Sequence, residues 1–191
     1  RSTLFPYTTL FRSGSAVNNG KAEEDGVDYH FIDQPTAMEM LQKREFVEAK
    51  FVHGTIYGTS VAEIKLAYDQ NKVAITDIDV QGVAEYEKLS PCGIAIFIVP
   101  PTYQTWIERL KKRYKTEADF QAEWPNRRKT SVKELEHALE VPYYHIIIND
   151  DLDNSVQTSC EIIKRGDLFN SRDDHVRITA RNLLNDLQKL V

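Results

Sequence analysis

Residues 94–99 read IAIFIV, and this unbroken apolar run decides the fold class. A strand with apolar side chains on both faces is typical of a parallel sheet that helices cover on both sides. Pro100 and Pro101 end the run, and helical periodicity resumes over Thr102–Arg113. We therefore predict a buried strand at Ile94–Val99 followed by a helix.

Two more segments repeat this alternation of strand and helix. Val73–Ile78 is an apolar run interrupted only by a threonine and an aspartate, and Tyr143–Ile148 is a further apolar strand. Leu152–Lys164 follows the latter as a predicted helix. Buried strands separated by helices form right-handed βαβ units. The chain is therefore predicted to be an α/β protein with a parallel sheet flanked by helices.

Composition excludes several classes of protein. The 191 residues include 24 Lys and Arg against 29 Asp and Glu, and the net charge of −5 argues against nucleic-acid binding by the whole chain. No apolar run approaches the roughly 20 residues that cross a bilayer, so no membrane partner is expected. Cys92 and Cys160 lack metal-ligand spacing, which argues against a disulfide framework and a structural zinc site. We expect a cytoplasmic protein.

The termini differ from the centre of the chain. Residues 1–13 repeat Thr-Leu-Phe and carry Arg-Ser at both ends, as a translated sequencing adapter would, so we interpret them as non-native and outside the fold. Residues 14–24 are polar and predict a loop. The last segment, 168–191, predicts a helix whose apolar stripe packs against the body: Val176, Leu183, Leu187 and Leu190. The predicted domain between them is 25–167.

Two carboxylates lie at the end of the apolar run 73–78. The sequence TDIDVQG over Thr76–Gly82 places Asp77 and Asp79 at the end of the predicted strand. Ligands of open α/β sheets bind beyond the carboxyl ends of strands, and residues two apart on a strand share a face. Either acid alone could instead cap the following helix. For the pair, we favour binding of a substrate or metal.

A glycine-rich segment offers a second candidate site. His53–Ser60 reads HGTIYGTS, in which Gly54 and Gly58 bracket an excursion that presents Tyr57 and Thr59. Hydroxyl groups beside backbone N–H groups suit a phosphate. A plain hairpin turn with a surface tyrosine fits the same spacing equally well. The surrounding residues, about 25–60, predict a small β-rich insertion.

A basic segment offers the third candidate site. Residues 111–129 hold seven Lys and Arg against three Asp and Glu, a net charge of +4 in a chain of −5. Guanidinium groups bind phosphate oxygens in pairs and stabilise charge during phosphoryl transfer. Since Trp124-Pro125 interrupts the segment, we predict a mobile helical lid over about 114–140. A solvated helical face is the alternative.

Taken together, these segments resemble the guanylate kinase family. The resemblance covers about residues 25–165, and its motifs occur in the family's order: Asp25–Phe31, Glu45–Glu48, His53–Ser60, Asp77–Gly82, Ile96–Pro101, Arg109-Leu110 with Arg113, and Ile148–Leu152. Several motifs in order are far more specific than any one of them. The resemblance implies a nucleoside monophosphate kinase fold and transfer of a phosphoryl group from ATP to GMP, with Mg²⁺, to give GDP and ADP.

The resemblance also implies residue roles. The implied GMP site consists of Tyr29, Glu48, Tyr57, Gly58, Thr59 and Asp79. In this family two carboxylates, here Glu48 and Asp79, hold the guanine ring with Thr59 alongside. Two tyrosines, Tyr29 and Tyr57, hold the GMP phosphate.

Three lid arginines and one further carboxylate complete the implied machinery. Arg109, Arg113 and Arg127 match the arginines that close over the transferring phosphate as catalytic residues. Arg128 is an alternative to Arg127, because Trp124-Pro125 makes the alignment of this segment with the family's lid ambiguous. Asp77 matches a carboxylate near the magnesium and the nucleotide phosphates.

One family element has no counterpart in this sequence. Members begin with a phosphate loop of the form GxxxxGK[ST] on a first strand, followed by two arginines that grip the GMP phosphate. Here Gly20-Lys21 is followed by Ala22, and residues 13–25 contain no arginine. Without the loop's N–H groups and lysine, the ATP phosphates lack their main site. We therefore expect an N-terminally truncated kinase that is inactive on its own.

Two other functions fit part of the pattern. A guanylate-kinase-like interaction module that has lost catalysis would also lack the phosphate loop, although the retained site residues favour descent from an enzyme. Another nucleoside monophosphate kinase fits less well, because two carboxylates suit the N1–H and N2–H₂ donors of guanine. The expected partners are GMP and ATP or ADP, and we expect a monomer or a homodimer.

Overall fold

The computed structural model describes residues 10–13, 17–18, 21–22, 25, 29–52, 55–89, 93–166 and 174–189. The chain divides into two compact units, Arg1–Leu89 and Ser90–Val191. Strands and helices occur in both, so the predicted α/β class is confirmed. In the described part of the chain, no helix is long and apolar enough to cross a membrane.

The N-terminal unit is built around a four-stranded mixed sheet. Its elements are β1 (Leu10–Ser13), β2 (Val17–Asn18), β3 (Lys21–Ala22), β4 (Tyr29–Ile32), α1 (Gln34–Gln42), β5 (Phe46–Val52), β6 (Thr55–Ser60), α2 (Val61–Asp69) and α3 (Val80–Leu89). The strand order is β4-β1-β6-β5, with β1 parallel to β4 and antiparallel to β6. The β5–β6 hairpin is antiparallel, and β2 and β3 form a separate antiparallel pair.

Side chains at the ends of strands start two of these helices. Asp33 accepts a hydrogen bond from the backbone N–H of Thr36 at 2.7 Å, and Pro35 occupies the first turn of α1. Ser60, the last residue of β6, accepts from the N–H of Glu63 at 3.1 Å and caps α2. Each cap satisfies an N–H group that the helix itself cannot pair.

The C-terminal unit contains a parallel strand pair and four helices. Its elements are β7 (Ala95–Val99), α4 (Tyr103–Lys111), α5 (Glu117–Glu140), β8 (Tyr144–Ile148), α6 (Leu152–Arg165) and α7 (Asp174–Gln188). β7 pairs with β8 in parallel, from Ala95 opposite Tyr144 to Val99 opposite Ile148. The strands predicted at 94–99 and 143–148 are confirmed to within one residue. β8 is largely buried as predicted, whereas Ile98 in β7 is exposed, so β7 is not buried on both faces.

The third predicted strand is wrong. Residues 73–78 are all described, and only Ile75 makes an isolated β-bridge; Val73 is exposed. An apolar run becomes a strand only where a neighbouring strand pairs with its backbone groups. In this segment only one residue is paired in that way.

The N-terminal segment also differs from expectation. Leu10–Ser13 forms β1 in the centre of the sheet, between β4 and β6, so these four residues do not stand outside the fold. Their backbone pairs with strands on both sides, which depends little on side-chain identity. Residues 1–9 lie outside the described residues. The segment 14–24, predicted as a loop, contains the short strands β2 and β3.

The predicted interruption of the basic segment is absent. α5 is one helix of 24 residues with Pro125 inside it. A proline in a helix removes one backbone hydrogen bond, so other contacts must hold the helix here. The ring of Trp124 stacks on Phe120 and tilts against Trp106, each at 5.5 Å between centroids. This packing between α4 and α5 outweighs the local preference of proline for a break.

The C-terminal helix packs as predicted. Val176, Leu183 and Leu187 of α7 are buried, whereas Leu190 lies outside the described residues. Side-chain hydrogen bonds join α7 to α5, one of them from Arg177 Nη1 to the carbonyl oxygen of Leu139 at 3.1 Å. The helix is therefore part of the core of its unit.

Candidate functional site

The β5–β6 hairpin holds a buried carboxylate. Glu48 on β5 lies opposite Thr59 on β6, and its side chain is only 7% exposed. Its Oε1 accepts a hydrogen bond from the Thr59 hydroxyl at 3.0 Å. A buried carboxylate is costly unless it is hydrogen-bonded, so this pairing is what allows Glu48 to sit inside the unit.

A second threonine extends this pairing. The Thr59 Oγ1 lies 3.2 Å from the Thr76 Oγ1, and Thr59 is fully buried. A threonine hydroxyl has one proton, and Thr59 gives its proton to Glu48. Thr76 must therefore donate to Thr59. The resulting chain of donors, from Thr76 to Thr59 to Glu48, orients one oxygen of the carboxylate.

Burial changes the acidity of Glu48. Burial raises the pKa of the Glu48 carboxyl, while hydrogen bonds from Thr59 and the positive charge of Lys50 lower it. The net result is a pKa above the ordinary value of 4.5. A ligand that donates hydrogen bonds to such a carboxylate stabilises its charged form.

The second predicted carboxylate, Asp79, has the capping role that the sequence left as the alternative, and it also pairs with a lysine. Its Oδ1 accepts from the backbone N–H of Gly82 at 2.8 Å in the first turn of α3, as a helix cap does. The same oxygen lies 2.5 Å from the ammonium nitrogen of Lys50. Burial raises the pKa of Asp79, but the hydrogen bonds from Lys50 and Gly82 outweigh this effect. The net pKa of Asp79 is therefore below its ordinary value of 3.8.

Gly58 is required by close packing inside the hairpin. A Cβ atom at this position would lie 2.7 Å from the backbone oxygen of Glu48 and 2.7 Å from Phe46 Cδ1. Both distances are well below van der Waals contact, and one of the atoms belongs to the backbone. Glycine therefore lets β6 approach β5 closely enough to align Thr59 with Glu48.

The structure says less about the other site residues predicted in the N-terminal unit. Tyr57 is half-buried and lies opposite Lys50 in the hairpin register. Tyr29 begins β4, but its side chain lies outside the described residues, as does Gly54. Asp77 is exposed and belongs to no strand. Over the described ranges, no group of three or more His, Cys, Asp or Glu residues could hold a metal ion.

Sequence reasoning missed three residues beside the carboxylates: Lys50, Thr76 and Tyr86. Lys50 could have been found, since it lies two residues after Glu48 on one strand and therefore on the same face. Tyr86 on α3 has a buried hydroxyl without a hydrogen-bond partner in the described part of the chain. Burial raises its pKa, and the Thr59 hydroxyl and the Glu48 charge act on it from nearby.

In the C-terminal unit, the predicted arginines lie on or near α4 and α5. Arg109 is exposed, and it donates from Nη1 to the carbonyl oxygen of Asn149 at 2.6 Å and from Nη2 to that of Asp150 at 3.3 Å. It therefore ties α4 to the turn after β8. Arg113 follows α4 and is exposed.

Arg127 and Arg128 have different surroundings. Arg127 is exposed, donates to the Tyr114 hydroxyl at 3.0 Å and lies 3.8 Å from a carboxylate oxygen of Glu123. Arg128 is half-buried and donates from Nε to the carbonyl oxygen of Leu187 on α7 at 2.7 Å. Arg128 thus joins two helices, whereas Arg127 keeps its guanidinium at the surface.

Comparisons with known proteins place these residues in one family. The family model described as guanylate kinase matches residues 14–165. A guanylate kinase of Syntrophotalea carbinolica is 34% identical over 141 residues, which is 74% of this chain and 65% of that protein. One from Pseudomonas fluorescens is 33% identical over 150 residues, 78% of this chain and 70% of the relative. Guanylate kinase 1 of Oryza sativa is 35% identical over 155 residues, 80% of this chain and 38% of its own length.

A solved structure agrees in fold. The crystal structure of guanylate kinase from Anaplasma phagocytophilum matches with a TM-score of 0.63 at 20% sequence identity. The match covers 95% of this chain and 84% of that one. With the family model spanning well over half of the sequence, the conclusion is that this chain belongs to the guanylate kinase family.

Proposed function

We propose that the N-terminal unit binds GMP and that the chain serves the transfer of a phosphoryl group from ATP to GMP, which gives GDP and ADP. The observation that carries the proposal is the buried Glu48 carboxylate, held by the Thr59 hydroxyl at 3.0 Å. Asp79, kept ionised by Lys50 and Gly82, is the second acceptor.

The chemistry of guanine fits two carboxylates. Guanine presents N–H donors at N1 and N2, which carboxylate oxygens accept. Adenine presents a lone pair at N1, which would face a negative charge. Leaving a buried polar group unpaired costs about 1–3 kcal/mol, enough to discriminate at least tenfold between the bases.

The phosphate end of the substrate is assigned by analogy with the family. In this proposal Tyr29 and Tyr57 hold the GMP phosphate, with Gly58 keeping the hairpin close. Arg109, Arg113 and Arg127 stabilise the charge on the transferring phosphoryl group. We assign Arg127 rather than Arg128, because Arg128 is engaged with the Leu187 carbonyl oxygen.

ATP, the phosphoryl donor, would bring magnesium with it. Mg²⁺ prefers oxygen ligands and is often held by one or two carboxylates together with substrate phosphates. The exposed carboxylate of Asp77 fits that demand and would hold the ion, which when bound neutralises charge on the phosphates. No GxxxxGK[ST] motif occurs in the 191 residues, so we expect this chain alone to bind GMP without steady-state ATP turnover.

Calorimetric titration of the chain with GMP, AMP and ATP tests the proposal. We expect GMP to bind at least tenfold more tightly than AMP. Glu48→Gln should weaken GMP binding about 100-fold, since the variant loses a charged acceptor and places an amide N–H₂ against guanine donors. Glu45→Gln, an exposed change just before the same strand, is the matched control and should bind as the parent does.

Absence of GMP binding, or equal binding of AMP, would refute the proposed function. An interaction module without nucleotide recognition would give the first result. Measurable ATP turnover would refute only the expectation about the phosphate loop.

A further inference from the structure

We propose that Lys50 determines specificity in this site by donating a hydrogen bond to the 6-oxo group of a purine nucleotide. The inference rests on the proposed function, because it concerns how the same pocket distinguishes its base. It adds a hydrogen-bond donor beside the two carboxylates, Glu48 and Asp79, that are proposed to accept from the base.

The position of Lys50 supports this role. Lys50 follows Glu48 by two residues on β5, so both side chains project from the same face of the hairpin. Its Nζ lies 2.5 Å from Asp79 Oδ1 and 3.4 Å from Gln81 Oε1, contacts that hold the ammonium group beside the start of α3. Only 24% of the Lys50 side chain is exposed.

One N–H bond of the Lys50 ammonium group is available to a ligand. A lysine ammonium has three N–H bonds and accepts nothing. In this structure Asp79 and Gln81 take two of them. The third can serve a ligand that presents an acceptor beside the donors taken up by Glu48. A 6-oxopurine has this pattern, with O6 next to N1–H, whereas a 6-aminopurine would turn an N–H₂ group toward a cation.

Electrostatics point to the same role. Two carboxylates facing one base would repel each other and the phosphate of the nucleotide. Lys50 lies close enough to both to lower the pKa of each, Glu48 through its charge and Asp79 through a hydrogen bond and its charge. Its charge thereby favours the ionised form of both acceptors in a site that takes an anionic ligand.

An ordinary surface ion pair provides the contrast. Lys65 and Asp69 form an i,i+4 pair on α2 in the same unit, with side chains 72% and 52% exposed. Exposed pairs of this kind contribute little to stability and fix no ligand. Lys65→Met is therefore a matched control for loss of a paired lysine.

The test compares Lys50→Met with the parent chain by calorimetry, using GMP, IMP and AMP. IMP keeps O6 and N1–H but lacks the 2-amino group, so it isolates the proposed contact. We expect Lys50→Met to weaken GMP and IMP about tenfold each and to leave AMP unchanged or tighter, and Lys65→Met to change none of them.

A second measurement uses the unmodified chain. 6-Thio-GMP keeps the N–H donors of guanine but has a poor acceptor at position 6, and we expect it to bind about fivefold more weakly than GMP. That difference should vanish in Lys50→Met. If Lys50→Met does not fold, the unmodified chain alone decides: equal binding of GMP and 6-thio-GMP would overturn the proposal.

Equal weakening of GMP and AMP in Lys50→Met would show a structural role and overturn the inference, as would unchanged GMP binding. If the unmodified chain binds no GMP, the proposed function fails first. The two failures are therefore distinguishable.

Discussion

Glu48 of the N-terminal unit and two predicted arginines of the C-terminal unit are held in opposite ways. Glu48 is buried in a strand pair, and its partner Thr59 is buried with it. Arg109 and Arg127 are exposed on helices, and each contacts a neighbouring loop or tyrosine. Glu48, which we propose as a base-binding residue, is therefore part of the packing of its unit, whereas the arginines proposed to act on the phosphoryl group lie on the surface of their unit.

This difference has an energetic consequence. A buried polar group that loses its partner costs about 1–3 kcal/mol, while an exposed ion pair contributes about 0–1 kcal/mol. Substitutions in the hairpin should therefore change both stability and specificity. Substitutions of exposed arginines should spare stability.

The largest effect is expected at Gly58. Gly58→Ala puts a Cβ atom 2.7 Å from a backbone oxygen, so β5 and β6 must separate, and we expect a loss of about 3 kcal/mol in the free energy of unfolding. Gly166→Ala in the other unit meets no atom within 4 Å but keeps a positive φ of 64°, and should cost only about 1 kcal/mol. Urea denaturation measures both. Equal losses would show that close packing does not govern the hairpin.

A smaller effect separates the two neighbouring arginines. Arg128→Met removes a half-buried hydrogen bond to Leu187, which should lower the free energy of unfolding by about 1.5 kcal/mol. Arg127→Met should change it by less than about 0.5 kcal/mol, because its partners are exposed. Thermal unfolding of the two variants compares them. A larger loss for Arg127→Met would contradict the roles assigned here.

The smallest effect is a shift in pH dependence. GMP affinity should fall as pH falls through the pKa of Glu48, which lies above 4.5, because only the ionised carboxylate accepts from guanine. Thr59→Val removes a hydrogen bond that lowers this pKa, so the fall should begin at higher pH, with affinity about fivefold weaker at neutral pH. Titrations from pH 4 to 8 follow it.

Thr76→Val provides a comparison with Thr59→Val for the pH dependence of GMP affinity. Thr76 bonds to Thr59 rather than to Glu48, so its shift should be in the same direction and smaller. A shift toward lower pH in Thr59→Val would rule out the donor chain.

Local patterns predicted much of the fold and supplied the candidate residues of the site. The apolar runs of β7 and β8 and the apolar stripe of α7 all depend on residues close together in sequence. The prediction failed at Val73–Ile78, where a strand needs a pairing partner, and at Pro125, where aromatic packing preserves the helix. In both cases distant residues decided the local structure.

The sequence by itself determined the α/β class and the family, and it pointed to Glu48, Thr59 and Asp79 as candidate site residues, because strand periodicity and ordered motifs are local properties of the chain. Only the tertiary structure decided which partners these residues have. Lys50 reaches Asp79, 29 positions along the chain, and Arg128 reaches Leu187, 59 positions along. Adjacent residues on a helix point about 100° apart, so Arg127 and Arg128 meet different surroundings once the helices pack. The roles of charged side chains follow from those surroundings, and only the packed chain supplies them.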